Sequence, residues 1–395
     1  MNATSSLDRA PGSGTQLWAY ALLAFVATAG FFYINIMAAI VDGLVTDWHF
    51  SNAQAGSVAA ANIYGASAGA MIAALTVRRL RWRPTLALLL VALLLVDLAS
   101  ILVREPTWLI VVRAAHGVVG GMAVGVSYSV MARTASSDRA FGMLLLVQFG
   151  LAGLGLMVLP PLVPEYGARI LFLALAGFSA LALLALPAIP HFDDAAATPG
   201  EPQRGIAPAA RRSAAFALLA MFLFQAGNMA LSAFIIGLGE RFGLERGFVS
   251  HTLGWATWIG AAGAVLVIAM GTPKNRLRPL LAAMLLTLAG TAAFFGSGNG
   301  SVFFIANVGT AITWSFVVPC LFGMVSQLDR SGRLATVAGF VSKMGLASGP
   351  LLAGWVLRAG GDRALITAAI ALLACSAVAA LAGAHRLDRK ETAFS

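Results

Sequence analysis

Three ionisable residues lie inside two long apolar stretches of the sequence that meet at a short polar turn, Arg104–Thr107. Asp97 lies eight residues before Glu105 and Arg113 lies eight residues after it, so a helical hairpin would set both at similar depth, roughly 10 Å below the turn. His116 follows Arg113 by three residues and shares its helix face. Ionisable groups at such depth in a membrane are costly and are candidate functional groups.

Two interpretations of this trio stay open. Asp97 and Arg113 can form a structural ion pair that pins the hairpin. They can also take part in proton transfer, because a carboxylate that alternates between an arginine and a proton is one relay design. His116 is either a hydrogen-bonding group or a proton carrier. Asp97, Arg113 and His116 are therefore the candidate proton-coupling residues.

Lys343 is the candidate anion-binding residue. It is the tenth residue of an apolar stretch, near the midplane of a hydrocarbon core about 30 Å thick. The acidic residues of the second half of the sequence lie at predicted helix ends or in loops. A buried ammonium must find a partner or lose its proton. An anionic ligand would satisfy Lys343; the alternative is that its side chain reaches back to the membrane surface.

Further polar or amphipathic side chains occur deep in other apolar stretches. Each can either contact a solute or form an interhelical hydrogen bond. Together with Lys343 and Arg113, the candidate solute-binding residues are Asn35, Gln148, Gln225, Asn228, Asn307 and Trp314.

The composition indicates a chain whose solvent is the lipid bilayer. Of 395 residues, 59% are hydrophobic and only 11% are charged, and the mean hydropathy is +0.85. The net charge of +10 does not indicate nucleic-acid binding, because the basic residues form short clusters between apolar runs, as membrane topology signals do. No nucleic acid is expected as a partner.

Twelve apolar stretches are long enough to span a membrane. They divide into two sets of six, which predicts an N-terminal bundle over 16–189 and a C-terminal bundle over 213–384. A proline-containing linker is predicted at 190–212, and polar tails at 1–15 and 385–395. The predicted spans are 16–41, 52–76, 84–103, 107–132, 140–163, 169–189, 213–238, 247–270, 279–297, 301–325, 334–357 and 364–384.

The distribution of Lys and Arg predicts the orientation. With the N-terminus in the cytoplasm, eighteen of the 26 basic residues lie in cytoplasmic segments and six in outer segments. The polar start has no cleavable signal pattern, so the first apolar stretch should remain as a helix. We expect a multi-pass protein of a bacterial cytoplasmic (inner) membrane with both termini inside the cell.

The two halves of the sequence echo one another. Arg81–Pro84 opens the third span and Arg276–Pro279 opens the ninth, 195 positions later; at the same offset, Gln148 of the fifth span matches Lys343 of the eleventh. These matches predict two pseudo-symmetric six-helix repeats, an organisation associated with transporters that rock about a central site.

At this point the sequence resembles the major facilitator superfamily over nearly its whole length. Arg113-x-x-x-Gly117-x-x-x-Gly121 is similar to a segment that the family places on its fourth helix and links to proton coupling. Gly117, Gly121 and Gly125 also form a small-residue stripe that lets another helix approach closely. The resemblance implies the twelve-helix, all-α integral membrane fold of that family.

Two segments depart from the family pattern. In the basic loop after the second span, which the resemblance identifies as a gating loop, Arg78 and Arg81 are present, but Val77 replaces the usual Asp and Leu80 a usual Gly. A glycine–proline segment like that of the drug antiporters occurs on the eleventh span, around Gly349, and not on the fifth.

These observations predict a secondary transporter, not an enzyme, that moves a small organic solute by alternating access. The preferred solute is an organic anion, such as a carboxylate or an aromatic acid, with proton coupling. The alternative is proton-coupled efflux of hydrophobic or cationic drugs. No metal and no cofactor are expected, and a monomer is expected. Catalytic clusters are not indicated, because the five histidines (49, 116, 191, 251 and 385) are scattered.

Overall fold

The computed structural model of the chain describes residues 13–134, 136–190, 208–270, 277–328 and 333–394, and these fold into helices. The N-terminal bundle consists of α1 to α8. Its helices are α1 Ser13–Ala29, α2 Phe32–Asn35, α3 Met37–Thr46, α4 Asn52–Thr76, α5 Trp82–Leu102, α6 Pro106–Ala132, α7 Ser137–Tyr166 and α8 Arg169–Ala185.

The C-terminal bundle consists of α9 to α15. Its helices are α9 Pro208–Ala233, α10 Ile235–Arg241, α11 Arg246–Gly260, α12 Ala262–Met270, α13 Leu277–Ala293, α14 Gly300–Leu328 and α15 Arg333–Phe394. Short 3-10 turns follow α4, α8 and α13, at Val77–Arg79, Leu186–Ala188 and Phe294–Gly296.

The described helices agree with a twelve-span fold. Ten apolar helical stretches are long enough to cross a membrane, and Thr336–Ala384, with 49 residues, has the length of two. That stretch turns at Gly361, where φ is 67°, a backbone conformation that glycine adopts readily. The remaining span is assembled from α1, α2 and α3. The predicted all-α integral membrane fold is confirmed, and the described helices are consistent with two six-helix bundles.

Three predicted spans are broken, although the sequence suggests continuous helices; the eighth is divided at Ala261, between α11 and α12. The first is interrupted around Gly30 and again at Ile36, and the seventh is interrupted at Phe234. The backbone angles at two of these breaks are nearly equal, with φ −107° and ψ 19° at Ile36 and φ −112° and ψ 13° at Phe234. Equivalent helices of the two halves therefore bend in the same way, as repeats of one unit would.

The small-residue stripe of α6 packs against α4. A side chain on Gly117 would overlap the backbone of Asn62, and one on Gly121 would overlap the backbone of Ala66. Gly65 and Gly69 of α4 approach the backbone of α6 in the same way. The predicted close approach is confirmed, and α4 is the partner.

The two tails and the linker fall largely outside the described residues. Of the predicted linker, 191–207 is not described, and of the predicted N-terminal tail only the last residues, from Ser13, belong to a helix. The C-terminal segment from 385 continues α15 as far as Phe394. These domain limits stay predictions.

Candidate functional site

A central cavity of about 380 Å³ lies between the two bundles. It is lined mainly from α2 and α7 on the N-terminal side and from α9, α11 and α14 on the C-terminal side, and α3, α10, α13 and α15 each contribute one residue. Six of the eight predicted solute-binding residues lie on its wall. They are Asn35, Gln148, Gln225, Asn228, Asn307 and Trp314.

Hydrogen bonds hold several of these side chains in place. Gln148 Nε2 donates to Asn35 Oδ1 over 3.4 Å. On the opposite wall, Trp314 Nε1 donates to Gln225 Oε1 over 2.7 Å, and Gln225 Nε2 donates to Ser342 Oγ over 2.7 Å. Each bundle therefore presents an ordered amide to the cavity.

Two asparagines have side-chain oxygens with no hydrogen-bond partner among the described residues. Asn228 Nδ2 donates to the Phe224 carbonyl over 2.9 Å, and Asn307 Nδ2 donates to the Phe303 carbonyl over 2.8 Å. Each bond runs back one turn along the asparagine's own helix, so the side-chain oxygen remains as an acceptor on a cavity-lining residue. Conversely, Asn35 Nδ2 is a buried donor without a partner among the described residues. The wall thus offers both acceptors and a donor.

Lys343 lies at the edge of the central cavity and does not line it. Its ammonium is 5.7 Å from the ring centre of Phe31, which belongs to the other bundle. Leu346, about one turn further along α15, does line the cavity. Among the described residues no carboxylate lies within ion-pair distance of Lys343.

Arg113 is separated from the central cavity. Its side chain is fully buried inside the N-terminal bundle, and its Nη2 lies 2.9 Å from Asp97 Oδ1. The guanidinium also lies over the rings of Tyr33, at 5.4 Å, and Phe172, at 5.3 Å. The structure therefore does not support a contact of Arg113 with a solute in the cavity. The reason is that the hairpin of α5 and α6 turns the guanidinium toward Asp97.

His116 completes a buried network with this pair. His116 Nε2 lies 3.2 Å from Asp97 Oδ1, so Asp97 Oδ1 faces both Arg113 and His116. Within the described part of the chain, Asp97 Oδ2 and two of the three Arg113 nitrogens have no hydrogen-bond partner. The three predicted proton-coupling residues thus lie together, with unused polar atoms.

Asn62 of α4 and Tyr33 of α2 also belong to this network. Asn62 Nδ2 lies 2.8 Å from His116 Nδ1, and the ring of Tyr33 is 5.8 Å from that of His116. Sequence reasoning missed both. Asn62 could have been identified from the sequence, because it is a polar residue among the small residues of α4.

Comparison with known proteins decides the family. The model of the Major Facilitator Superfamily matches residues 20–350. The chain belongs to the major facilitator superfamily. It is accordingly a membrane transporter of small solutes and not an enzyme.

Solved structures of superfamily transporters share the fold at low identity. The nucleoside transporter NupG is 12% identical with a TM-score of 0.74, over 94% of this chain and 98% of that chain. A D-xylose–proton symporter is 14% identical with a TM-score of 0.69, over 91% and 96%. A bacterial homologue of the human lysosomal transporter Spinster, inward-facing and unoccupied, is 13% identical with a TM-score of 0.70, over 95% and 98%. No curated protein sequence matches.

The two bundles of this superfamily member contact each other at one end, where α3 ends and α4 begins; we name it the Asp42 end. Arg246 Nη1 of α11 lies 2.6 Å from Asp42 Oδ2 of α3. Arg246 Nε also lies 2.7 Å from Glu240 Oε1 of α10. Sequence reasoning missed this cluster, because each of its residues lies near the end of a predicted span.

Further contacts between the bundles extend from the Asp42 end to the middle. Tyr64 and Ser348 share a hydrogen bond of 2.7 Å. Trp258 Nε1 donates to the Gly150 carbonyl over 3.1 Å, and its indole packs directly on Gly153. The central cavity is therefore covered from the side of the Asp42 end.

The predicted gating loop lies at the opposite end of the bundle. Arg81 precedes α5 and is exposed. The backbone of Arg78 belongs to a 3-10 turn, but its side chain lies outside the described residues. Nearby, Arg83 donates to the Ile189 carbonyl, which ties this loop to the end of the N-terminal bundle.

Proposed function

We propose that this protein is a proton-coupled secondary transporter that moves a small organic anion, such as a carboxylate or an aromatic acid, by alternating access. The observation that carries the proposal is the position of Lys343. Its ammonium lies between the bundles, at the edge of the central cavity, against the ring of Phe31.

The environment of Lys343 favours an anionic partner. A cation over an aromatic ring gains about 0.5–2 kcal/mol. A charge-assisted hydrogen bond contributes about 1.5–3 kcal/mol. A solute carboxylate that extends from the cavity past Leu346 can therefore replace the ring as the partner of the ammonium. The amides of Asn35, Gln148 and Gln225 would then orient the rest of the solute.

The buried network of the N-terminal bundle supports proton coupling. Arg113 Nη2 and His116 Nε2 lie 2.9 Å and 3.2 Å from Asp97 Oδ1. A proton on Asp97 would neutralise the carboxylate and weaken its attraction to Arg113. Protonation of Asp97 can therefore alter how α5 and α6 pack, because these helices carry Asp97 and Arg113.

The contacts at the Asp42 end support an inward-facing conformation. The charge distribution of the sequence predicts that this end lies outside the cell, and the bundles are joined there by Asp42 and Arg246. An anion would then reach the central cavity from the cytoplasmic side in this conformation.

One observation favours an uncharged solute as a second candidate. The described residues that line the central cavity carry amides, hydroxyls and aromatic rings but no charge. A hydrophobic drug, as in the efflux alternative, would need no ammonium. In that case Lys343 would serve the packing of the two bundles.

A matched pair of probes tests the proposal. Isothermal calorimetry of the purified protein in detergent would compare benzoate with benzamide, which has a similar shape but no charge, and a panel of other carboxylates would follow. We expect a carboxylate to bind and its amide to bind weakly or not at all. Lys343→Gln should weaken carboxylate binding by at least tenfold, and Lys343→Arg should keep part of the affinity.

Arg241→Gln is the control, because it removes one positive charge away from the central cavity. Equal binding of a carboxylate and its amide, or full affinity in Lys343→Gln, would overturn the anion proposal. Binding of a lipophilic cation such as tetraphenylphosphonium would instead favour drug efflux.

A further inference from the structure

The side chain of Asn62 is oriented by a group that can only accept a hydrogen bond. Asn62 is buried in α4, and its Nδ2 lies 3.2 Å from the Arg113 carbonyl oxygen. A carbonyl has no proton to donate, so the amide must turn its NH₂ group, and not its oxygen, toward α6.

The orientation of Asn62 decides the protonation state of His116. The same NH₂ group lies 2.8 Å from His116 Nδ1, so Nδ1 must accept and cannot carry a proton. The proton of the neutral ring is then on Nε2, which lies 3.2 Å from Asp97 Oδ1. A second proton on Nδ1 would set an N–H group against the NH₂ group of Asn62.

We propose that Asn62 is a positioning residue that holds His116 as the neutral Nε2–H tautomer, so that Asp97, and not His116, takes up the proton. Asp97 Oδ1 accepts from Arg113 Nη2 over 2.9 Å and from His116. Asp97 Oδ2 is buried and has no partner among the described residues. The incoming proton therefore binds Oδ2, and the carboxylate becomes a neutral acid while Oδ1 continues to accept.

The groups around His116 agree with this assignment. The charged and titratable groups that face it are Asp97 from α5, Arg113 from its own helix α6 and Tyr33 from α2, while α4 presents the neutral Asn62. Arg113 already brings one positive charge to this buried site, and an imidazolium would add a second. The role in coupling rests on the proposed function, whereas the tautomer does not.

Nuclear magnetic resonance of the full-length protein with ¹⁵N-labelled histidine tests the tautomer directly. The His116→Gln variant identifies the His116 signals among those of the five histidines. We expect an unprotonated Nδ1 and a protonated Nε2 at neutral pH. A proton on Nδ1, either in the other tautomer or in an imidazolium, would overturn the proposal without any Asn62 variant.

Infrared difference spectroscopy during acidification tests where the proton goes. We expect a buried carboxylic-acid band that is absent in Asp97→Asn, at a pH at which His116 is still neutral. Formation of an imidazolium at His116 before any such band would contradict the proposal. These measurements need no solute.

Asn62→Asp reverses the direction of the hydrogen bond to His116. The NH₂ group of Asn62 donates to His116 Nδ1, whereas a carboxylate at this position can only accept from a protonated Nδ1. In this variant we expect His116 to become charged at a higher pH than the one at which the Asp97 band forms. Ser67→Ala is the matched control, because Ser67 is buried on the same helix but bonds its own backbone at Ile63 over 3.0 Å. An unchanged order of protonation in folded Asn62→Asp would overturn the role of Asn62.

The outcomes separate this inference from the proposed function. If Asp97 protonates as expected but benzoate and the other carboxylates drive no proton uptake in proteoliposomes, the proposed coupling is wrong and the tautomer assignment stands. If uptake occurs with His116 as the charged group, the inference is wrong and the coupling stands.

Discussion

The carboxylate of Asp42 in the N-terminal bundle lies 2.6 Å from the guanidinium of Arg246 in the C-terminal bundle. The Asp42 side chain is 3% exposed and that of Arg246 is 18% exposed. Arg246 also contacts Glu240, so one guanidinium lies between two carboxylates from α3 and α10. This cluster can stabilise the conformation in which the bundles meet at the Asp42 end, because the contact with Asp42 is lost when they separate.

Arg246→Gln should open the Asp42 end. The substitution removes the guanidinium that contacts both the Asp42 and the Glu240 carboxylate, and a charge-assisted hydrogen bond contributes about 1.5–3 kcal/mol. We expect a tenfold or larger shift toward conformations in which this end is separated. Electron–electron distance measurements between spin labels on Thr107→Cys and Ala359→Cys, one on each bundle at this end, would detect it.

The spin-label experiment requires removal of the native thiols, Cys320 and Cys375. Arg169→Gln is its control, because Arg169 Nε donates to the Tyr166 carbonyl over 2.9 Å within the N-terminal bundle. The same distance distribution in Arg246→Gln and in the unsubstituted protein would show that the Asp42–Arg246 contact does not stabilise this conformation.

Asp97→Asn alone and Arg113→Gln alone should each lower the yield of folded protein. Both side chains are fully buried, and removal of one member of a buried pair costs about 3–5 kcal/mol through the charge left behind. The double variant should recover the yield, because no unpaired charge remains, but should not recover proton coupling. Fluorescence-detected size-exclusion chromatography would measure folded yield.

The ion pair of Arg241 and Asp362, which is more exposed than the Asp97–Arg113 pair, provides the comparison for these variants. Arg241 is 42% exposed, and exposed ion pairs contribute about 0–1 kcal/mol. Asp362→Asn should therefore change the yield little. Normal yields for both buried single variants would show that the Asp97–Arg113 pair is not required for folding.

Gly153→Ala should weaken the contact between α7 and α11. An added methyl group would overlap the indole of Trp258, which must then move and lose its hydrogen bond to Gly150. We expect a lower thermal midpoint and the same widening of the spin-label distance. Gly150→Ala is the matched control on the same helix, since its added methyl group meets nothing within 4 Å. An equal response of the two variants would exclude a specific role of the close contact at Gly153.

Reporter fusions should place both termini and the linker in the cytoplasm. This expectation rests on the eighteen to six division of the basic residues. A cytoplasmic reporter inserted within 195–205 or fused after Ser395 should be active, and a periplasmic reporter at either place should be inactive. The reverse pattern would invert the membrane orientation and turn the Asp42 end toward the cytoplasm.

The fold could be predicted from the sequence because a bilayer leaves few choices. Apolar stretches of about 20 residues must be helical, since each backbone group needs a partner within its own segment. The duplication could be predicted because similar segments, such as those around Gln148 and Lys343, recur at an offset of 195 residues. The breaks at Ile36 and Phe234 could not be predicted, because both stretches remain apolar and tertiary packing sets where the helix bends.

The candidate site could be predicted only in part. Depth along a helix identified Asp97, Arg113 and His116, and the hairpin brought Asp97 and Arg113 together because each lies eight residues from Glu105. Depth does not tell which way a side chain points around its helix. Arg113 therefore faces Asp97 and not the cavity, and Lys343 lies at the cavity's edge beside Phe31.

The sequence by itself determined the membrane setting, the helical repeats and the charged residues that the bilayer makes costly. Only the tertiary structure decided which of those residues meet. Asn62 and His116 are 54 residues apart in the chain, and Asp42 and Arg246 are 204 residues apart. Both contacts join different helices. Such pairings depend on how the helices rotate and approach one another, and close packing at small residues such as Gly117 and Gly121 fixes that geometry.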